Sequence, residues 1–123
     1  MDWNKIKEYG CYQMLHYFKL QNMEKLCIRN NDIGTKGVTD LVACYGIRNL
    51  ITLNVSQTNI GDEGFDAIVN ANFCRNLKKL YVDDNKLTKE SCIAIAKSET
   101  IGFLEVFSIK NNELGKEGIE ALS

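Results

Sequence analysis

The stretch Leu50–Ile68, LITLNVSQTNIGDEGFDAI, decides the fold because its pattern occurs four times along the chain. The other copies span Met23–Leu41, Leu77–Ile95 and Leu104–Leu122, and successive copies start 27 residues apart without an insertion. Five positions of the pattern are apolar in every copy. In chain order these columns are Met23, Leu50, Leu77 and Leu104; Leu26, Leu53, Leu80 and Phe107; Ile28, Val55, Val82 and Ile109; Ile33, Ile60, Leu87 and Leu114; and Leu41, Ile68, Ile95 and Leu122. Chance does not align five such columns at one fixed period, so the chain consists of structural repeats.

The two halves of each copy predict two kinds of secondary structure. Alternation such as that of Leu26-Cys27-Ile28 has a period of two residues, which indicates a short strand. The second half has helical spacing, which places Phe65 and Ile68 on one face of a helix. One strand and one helix cannot bury their apolar sides alone, so neighbouring copies must stack, with a parallel sheet inside and helices outside.

Polar and small residues also recur at fixed positions between the apolar columns. The polar column is Asn31, Thr58, Asn85 and Asn112, and the small columns are Gly34, Gly61, Thr88 and Gly115, and Gly37, Gly64, Ser91 and Gly118. The pattern LxxLxLxxNxIGxxGxxxL resembles a leucine-rich repeat over essentially the whole chain, and the 27-residue period with its helix-opening GxxG resembles the ribonuclease-inhibitor-like subtype. This resemblance implies an α/β fold: a leucine-rich repeat solenoid, formed as a right-handed β-α superhelix, with a short parallel sheet on the concave side and helices on the convex side.

The resemblance also implies structural roles for the polar column. Its side chains are expected to turn inward and to satisfy backbone groups after each strand, in a ladder from repeat to repeat. The hydroxyl of Thr58 can replace only part of the amide pattern. Thr88, which stands in a glycine column, can act as the N-cap of the helix that it opens.

The repeat register predicts a single domain over residues 1–123. Residues 1–22 fit the helical half of an earlier repeat, because Ile6, Gly10 and Met14 match its columns. Full repeats follow at 23–49, 50–76 and 77–103, and a truncated last repeat spans 104–123. Neither end has an obvious polar cap, so the chain is either a piece of a longer solenoid or self-associates through its ends.

Composition excludes several other classes of protein. Hydrophobic residues make up 45% and charged residues 25%, as in a globular domain, and the net charge of −1 gives no footprint for nucleic acid or anionic lipid. No apolar run approaches the roughly 20 residues of a membrane-spanning helix. The five cysteines have no CxxC spacing and the N-terminus lacks a signal-peptide pattern, which together favour free thiols in the cytoplasm.

Candidate binding residues lie at and just after the strands. The residue types at these positions differ between repeats, whereas the apolar columns stay apolar. A fixed scaffold with a varying surface is typical of a site for a protein partner. Tyr81, the only aromatic residue in these columns, is the natural anchor, Asp83 and Asp84 suit basic groups, and Arg29 and Lys110 suit acidic groups. The alternative is that these side chains are merely solvated. The candidates are Lys25, Cys27, Arg29, Asn54, Ser56, Lys79, Tyr81, Asp83, Asp84, Ser108 and Lys110.

No catalytic, metal-binding or cofactor-binding residues are predicted. The only histidine, His16, falls on a helix flank, and Cys11 and Cys92 fall in a core-facing column. Cys27 is expected on the concave side, where it is either an ordinary exposed thiol or a reactive one activated by the neighbouring cations Lys25 or Arg29. No zinc spacing and no phosphate-binding glycine motif occurs.

These observations leave three functional hypotheses. The first is a non-catalytic module that binds a protein on its concave face. The second, by resemblance to the Ran GTPase-activating protein, is stimulation of a small GTPase, although none of Arg29, Arg48 and Arg75 maps onto a catalytic arginine. The third is an interior scaffold segment of a longer solenoid without a binding role of its own.

Overall fold

A computed structural model describes residues 23–44 and 47–121, and within them strands and helices alternate. The strands are β1 (Lys25–Cys27), β2 (Thr52–Asn54), β3 (Lys79–Tyr81) and β4 (Val106–Ser108). The helices are α1 (Gly34–Val42), α2 (Gly61–Val69), α3 (Lys89–Lys97) and α4 (Gly115–Ala121), and short 3₁₀ helices at Asn72–Arg75 and Ile101–Phe103 precede β3 and β4. The predicted N-terminal half-repeat, with Cys11 and His16, lies outside the described residues, as does Leu122.

The four strands form one open parallel sheet in the order β1-β2-β3-β4. Their register pairs Leu26 with Leu53, Leu53 with Leu80, and Leu80 with Phe107, so the predicted column lies side by side on adjacent turns. Each strand is followed by a helix that returns the chain to the next strand, and right-handed crossovers are the rule for this connection. The predicted α/β solenoid is therefore confirmed.

The core is a continuous layer between the sheet and the helices. In the first three repeats the strand and loop columns are fully buried, whereas their last members in the fourth repeat are only partly buried because no described repeat covers them. The fully buried members are Leu26, Leu53 and Leu80; Ile28, Val55 and Val82; and Ile33, Ile60 and Leu87. The partly buried members are Phe107, Ile109 and Leu114.

The polar column forms the expected ladder between repeats. The side-chain oxygen of Asn85 accepts a hydrogen bond from the Thr58 amide at 3.0 Å, and that of Asn112 accepts from the Asn85 and Leu87 amides at 2.8 and 2.9 Å. The Asn85 side-chain nitrogen donates to the Val55 carbonyl at 2.8 Å. Each carboxamide also donates to a carbonyl of its own turn, that of Asp83 or Ile109, and so satisfies backbone groups of two turns at once.

Thr58 supplies only part of this pattern, as predicted. It is fully buried, and its hydroxyl donates to the Val55 carbonyl. The amide of Ile33, one repeat earlier, bonds to the carbonyl of Asn31 at 3.0 Å, within its own turn. The amide of Leu87, by contrast, donates to the Asn112 side chain of the next repeat.

The backbone at the helix starts depends on which residue opens the helix. Gly34, Gly61 and Gly115 have φ between 65° and 68°, in the left-handed region that favours glycine. Thr88, in the same column, has an extended backbone with φ −115°, and its hydroxyl accepts a hydrogen bond from the Glu90 amide at 3.2 Å. The predicted N-cap is therefore confirmed.

Candidate binding surface

The concave face of the sheet presents two rows of outward side chains, because alternate residues of each strand point away from the core. The strand register places the members of a row side by side, with neighbouring strands about 4.8 Å apart. The rows are Lys25, Thr52, Lys79 and Val106, and Cys27, Asn54, Tyr81 and Ser108. Two further rows follow the strands: Arg29, Ser56, Asp83 and Lys110, and Asn30, Gln57, Asp84 and Asn111. We call these four rows together the concave surface.

Tyr81 lies in the middle of the concave surface. It is half-buried on β3, and its register partners are Asn54 on β2 and Ser108 on β4. Lys79 precedes it on the same face of the strand and is exposed. The ring therefore has accessible area but is held on a strand, which is a favourable position for a binding anchor.

Ser56 is buried, unlike the other predicted binding residues. Its hydroxyl accepts a hydrogen bond from the Asp83 amide at 3.1 Å, and its own amide donates to the Asn54 side chain at 3.0 Å. Ser56 thus joins two turns beneath the surface. It can contribute to binding only by positioning Asn54 and Asp83, to which it is hydrogen-bonded.

Asp83 and Asp84, adjacent in sequence, have different surroundings. One side-chain oxygen of Asp83 accepts from the Ser108 hydroxyl at 2.6 Å and from the Lys110 amide at 2.7 Å. Asp84 lies in the left-handed region with φ 55°, and its amide donates to the Lys110 carbonyl at 3.0 Å. Asp83 is therefore a bridge between the last two repeats as well as a surface residue.

A polar groove of about 490 Å³ adjoins the concave surface beyond the ends of the strands. Asn59 donates to a carboxylate oxygen of Asp32 across it at 3.3 Å. Sequence reasoning missed this groove, although the column Asp32, Asn59, Lys86 and Glu113 is polar in every copy and is the signal that marks it. Its lining residues are Asn30, Asn31, Asp32, Gln57, Asn59, Asp84 and Lys86.

Comparison with protein families identifies the repeats. A family model described as Leucine Rich repeat matches residues 19–42, 46–69, 73–96 and 103–123, which together make up most of the chain. The chain belongs to the leucine-rich repeat family. Comparison with curated proteins finds no match.

The described part of this leucine-rich repeat chain was also searched for membrane-spanning helices and metal sites. No described helix is long and apolar enough to cross a membrane. Within residues 23–44 and 47–121, no three His, Cys, Asp or Glu side chains lie close enough together to hold a metal ion.

The cysteines of the repeats differ in their surroundings. Cys27 is half-buried on β1, in the concave surface, as the sequence predicts. Cys74 and Cys92 are fully buried, and burial raises the pKa of both thiols. A raised pKa disfavours the reactive thiolate, so Cys92 behaves as the small buried residue that its column predicts.

Asp62 joins the starts of two neighbouring helices, a role that the sequence does not reveal. Its carboxylate accepts hydrogen bonds from the Thr88 amide at 2.9 Å, the Thr88 hydroxyl at 2.7 Å and the Ser91 hydroxyl at 2.5 Å. Burial raises the pKa of Asp62, but the hydrogen bonds from Ser91 and Thr88 outweigh burial and leave this pKa below its ordinary value. The two residues that replace glycines in the third repeat are therefore the partners of Asp62.

Replacing Asp62 with Asn is expected to lower the free energy of unfolding by about 1–2 kcal/mol near neutral pH, because charge-assisted hydrogen bonds are lost. The folded-state pKa of Asp62 is lowered, so its stabilisation is present above the unfolded value of about 3.9 and is lost as pH falls through the folded value. Urea unfolding of the unmodified chain and of Asp62→Asn at a series of pH values should therefore show that the difference in free energy of unfolding shrinks in acid.

The control is Asp66→Asn, which removes an exposed carboxylate from the same helix, α2. This variant should unfold like the unmodified chain. Equal stability of Asp62→Asn and the unmodified chain near neutral pH would contradict the bridging role.

Proposed function

We propose that this chain is a non-catalytic protein-interaction module that binds a protein partner through its concave surface. The observation that carries the proposal is the contrast within each strand. Leu26, Leu53 and Leu80 are fully buried, whereas the residues beside them vary among Lys, Thr and Val in one row and among Cys, Asn, Tyr and Ser in the other. The scaffold is constant and the exposed chemistry varies, as on a surface adapted to one partner. Tyr81 at its centre supplies the anchor.

The hydrogen bonds beneath the surface support this function. The Ser56 hydroxyl accepts a hydrogen bond from the Asp83 amide, and the Asp83 carboxylate accepts from the Ser108 hydroxyl and the Lys110 amide. These contacts order the surface before a partner arrives, which lowers the entropy cost of binding.

We also propose that the repeats are of the ribonuclease-inhibitor-like subtype and form one domain over residues 1–123, with the repeat boundaries at 23, 50, 77 and 104. The unbroken 27-residue spacing and the nine-residue helices α1, α2 and α3 on the convex side support this assignment.

Replacing Tyr81 with Ala is expected to weaken partner binding about tenfold or more, the loss typical of a central aromatic anchor. Immobilised chain would be used to capture proteins, and the dissociation constant of the most enriched partner would be measured for each variant. The control is Lys97→Ala, at the exposed end of α3, which should bind normally.

Both variants should keep the unfolding midpoint of the unmodified chain. If every captured partner binds Tyr81→Ala as tightly as Lys97→Ala, the concave surface is not the binding site.

We also propose self-association through the last repeat, as the alternative to a further repeat that covers it; the exposure of its apolar columns supports this proposal. Ile119 is 60% exposed, whereas Val38, Phe65 and Cys92 in the same column are fully buried. Later repeats contribute to this burial: the rings of Phe65 and of Phe107, two repeats further along, stack with their centroids 6.2 Å apart. The last repeat thus presents the kind of surface that its neighbours use for stacking.

Replacing Ile119 with Lys is expected to abolish self-association, because a charge would be buried in the stacking face. Sedimentation velocity over a range of protein concentrations measures the degree of self-association. The control is Ile93→Lys, since Ile93 is also exposed, at 37%, but shares a column with the polar residues Asp66 and Glu120. A monomeric unmodified chain at all concentrations would contradict this interaction.

A further inference from the structure

The concave surface and the remainder of the described chain have net charges of opposite sign. The concave surface carries four basic residues, Lys25, Arg29, Lys79 and Lys110, and two acidic ones, a net charge of +2. The other described residues carry eight basic and twelve acidic side chains, a net charge of −4. A surface whose sign differs from that of its surroundings selects partners by charge.

The two carboxylates of the concave surface are less exposed than its four cations. Asp83 already accepts the Ser108 hydroxyl and the Lys110 amide at one oxygen. Asp84 is half-buried and lines the polar groove beyond the strands. The four basic side chains are all exposed. The chemistry offered to a partner is therefore more basic than the count of charges suggests.

The positions of the cations suit an extended acidic segment. Lys25 and Lys79 lie in one row with Thr52 between them, which separates their backbones by about 10 Å. An extended chain of the polyproline II type has three residues per turn and rises about 3.1 Å per residue, so carboxylates three residues apart lie on one side and span this distance. Tyr81 follows Lys79 on the same face and provides an apolar contact beside the charge.

This arrangement fits a polypeptide better than a nucleic acid. A nucleic-acid strand carries a phosphate about every 3.4 Å, so cations about 10 Å apart would neutralise only a minority of its charges. The exposed side chain of Gln57, on the same surface, can donate to and accept from peptide groups.

We propose that the concave surface recognises an acidic protein segment, extended across the strands, with carboxylates at Lys25 and Lys79 and an apolar side chain against Tyr81. This inference rests on the proposed function, because it names the partner chemistry of the same surface.

The test uses fluorescent peptides of about nine residues, long enough at about 3.3 Å per residue to cross the four strands. One peptide has Glu at every third position with Leu and Ser between, and two others have Gln or Lys at the Glu positions; an oligothymidylate of equal length is the fourth probe. Fluorescence anisotropy would measure binding of each probe to the full chain.

The Glu peptide is expected to bind and the other three probes to bind at least about tenfold more weakly. Binding of the Glu peptide should weaken as ionic strength rises. The double variant Lys25→Glu with Lys79→Glu should lose about tenfold or more in affinity. The matched control, Lys97→Glu with Lys116→Glu, makes the same charge change on α3 and α4 and should retain affinity within about twofold.

Three results would overturn the inference: no binding of the Glu peptide at about 1 mM, tighter binding of the Lys peptide or the oligothymidylate, or equal binding by the two double variants. Circular dichroism of each variant would verify that it is folded. Loss of captured partners by Tyr81→Ala, together with any of these results, would leave the proposed function standing and remove only the acidic partner.

Discussion

The structure depends on the burial of each repeat's apolar columns against the next repeat. A three-residue strand and a helix of nine residues have no independent stability, and parallel pairing of such short strands needs a shared core. Leu26, Leu53 and Leu80 are fully buried because each has a neighbour on the following turn. Where that neighbour is missing from the described residues, burial is lost: Ile119 is 60% exposed, whereas Val38, Phe65 and Cys92 in its column are fully buried.

Polar contacts between turns reinforce this burial and define the surface. Asn85, Asp62 and Asp83 each bind groups one repeat away, at the ladder, at the helix starts and at the concave surface respectively. Because each contact joins residues about one repeat apart, it fixes the position of one turn relative to the next. The side chains around Tyr81 are thereby held in a defined arrangement, which is the condition for specific binding.

The sequence predicted the parts of the molecule that repeat. The strands, the buried columns, the asparagine ladder and the Thr88 cap all follow from positions that return every 27 residues. The sequence did not predict that Ser56 is buried, because Arg29 and Lys110 in the same column are exposed. Its burial depends on a hydrogen bond to the neighbouring turn, which differs between repeats. The bridge from Asp62 was missed for the same reason, since it requires the hydroxyls that only the third repeat carries at the glycine positions.

Hydrogen exchange of the strand amides in Leu53→Ala tests most directly whether the repeats stabilise one another. The amides of Ile28, Val55 and Val82 each bond to a carbonyl of the next strand at 2.9 Å, and so report on three successive inter-repeat contacts. The cavity left by Leu53 should cost about 2–5 kcal/mol and accelerate exchange at all three amides together, because they belong to one shared core. Faster exchange at Val55 alone, with Ile28 and Val82 unchanged, would contradict the account.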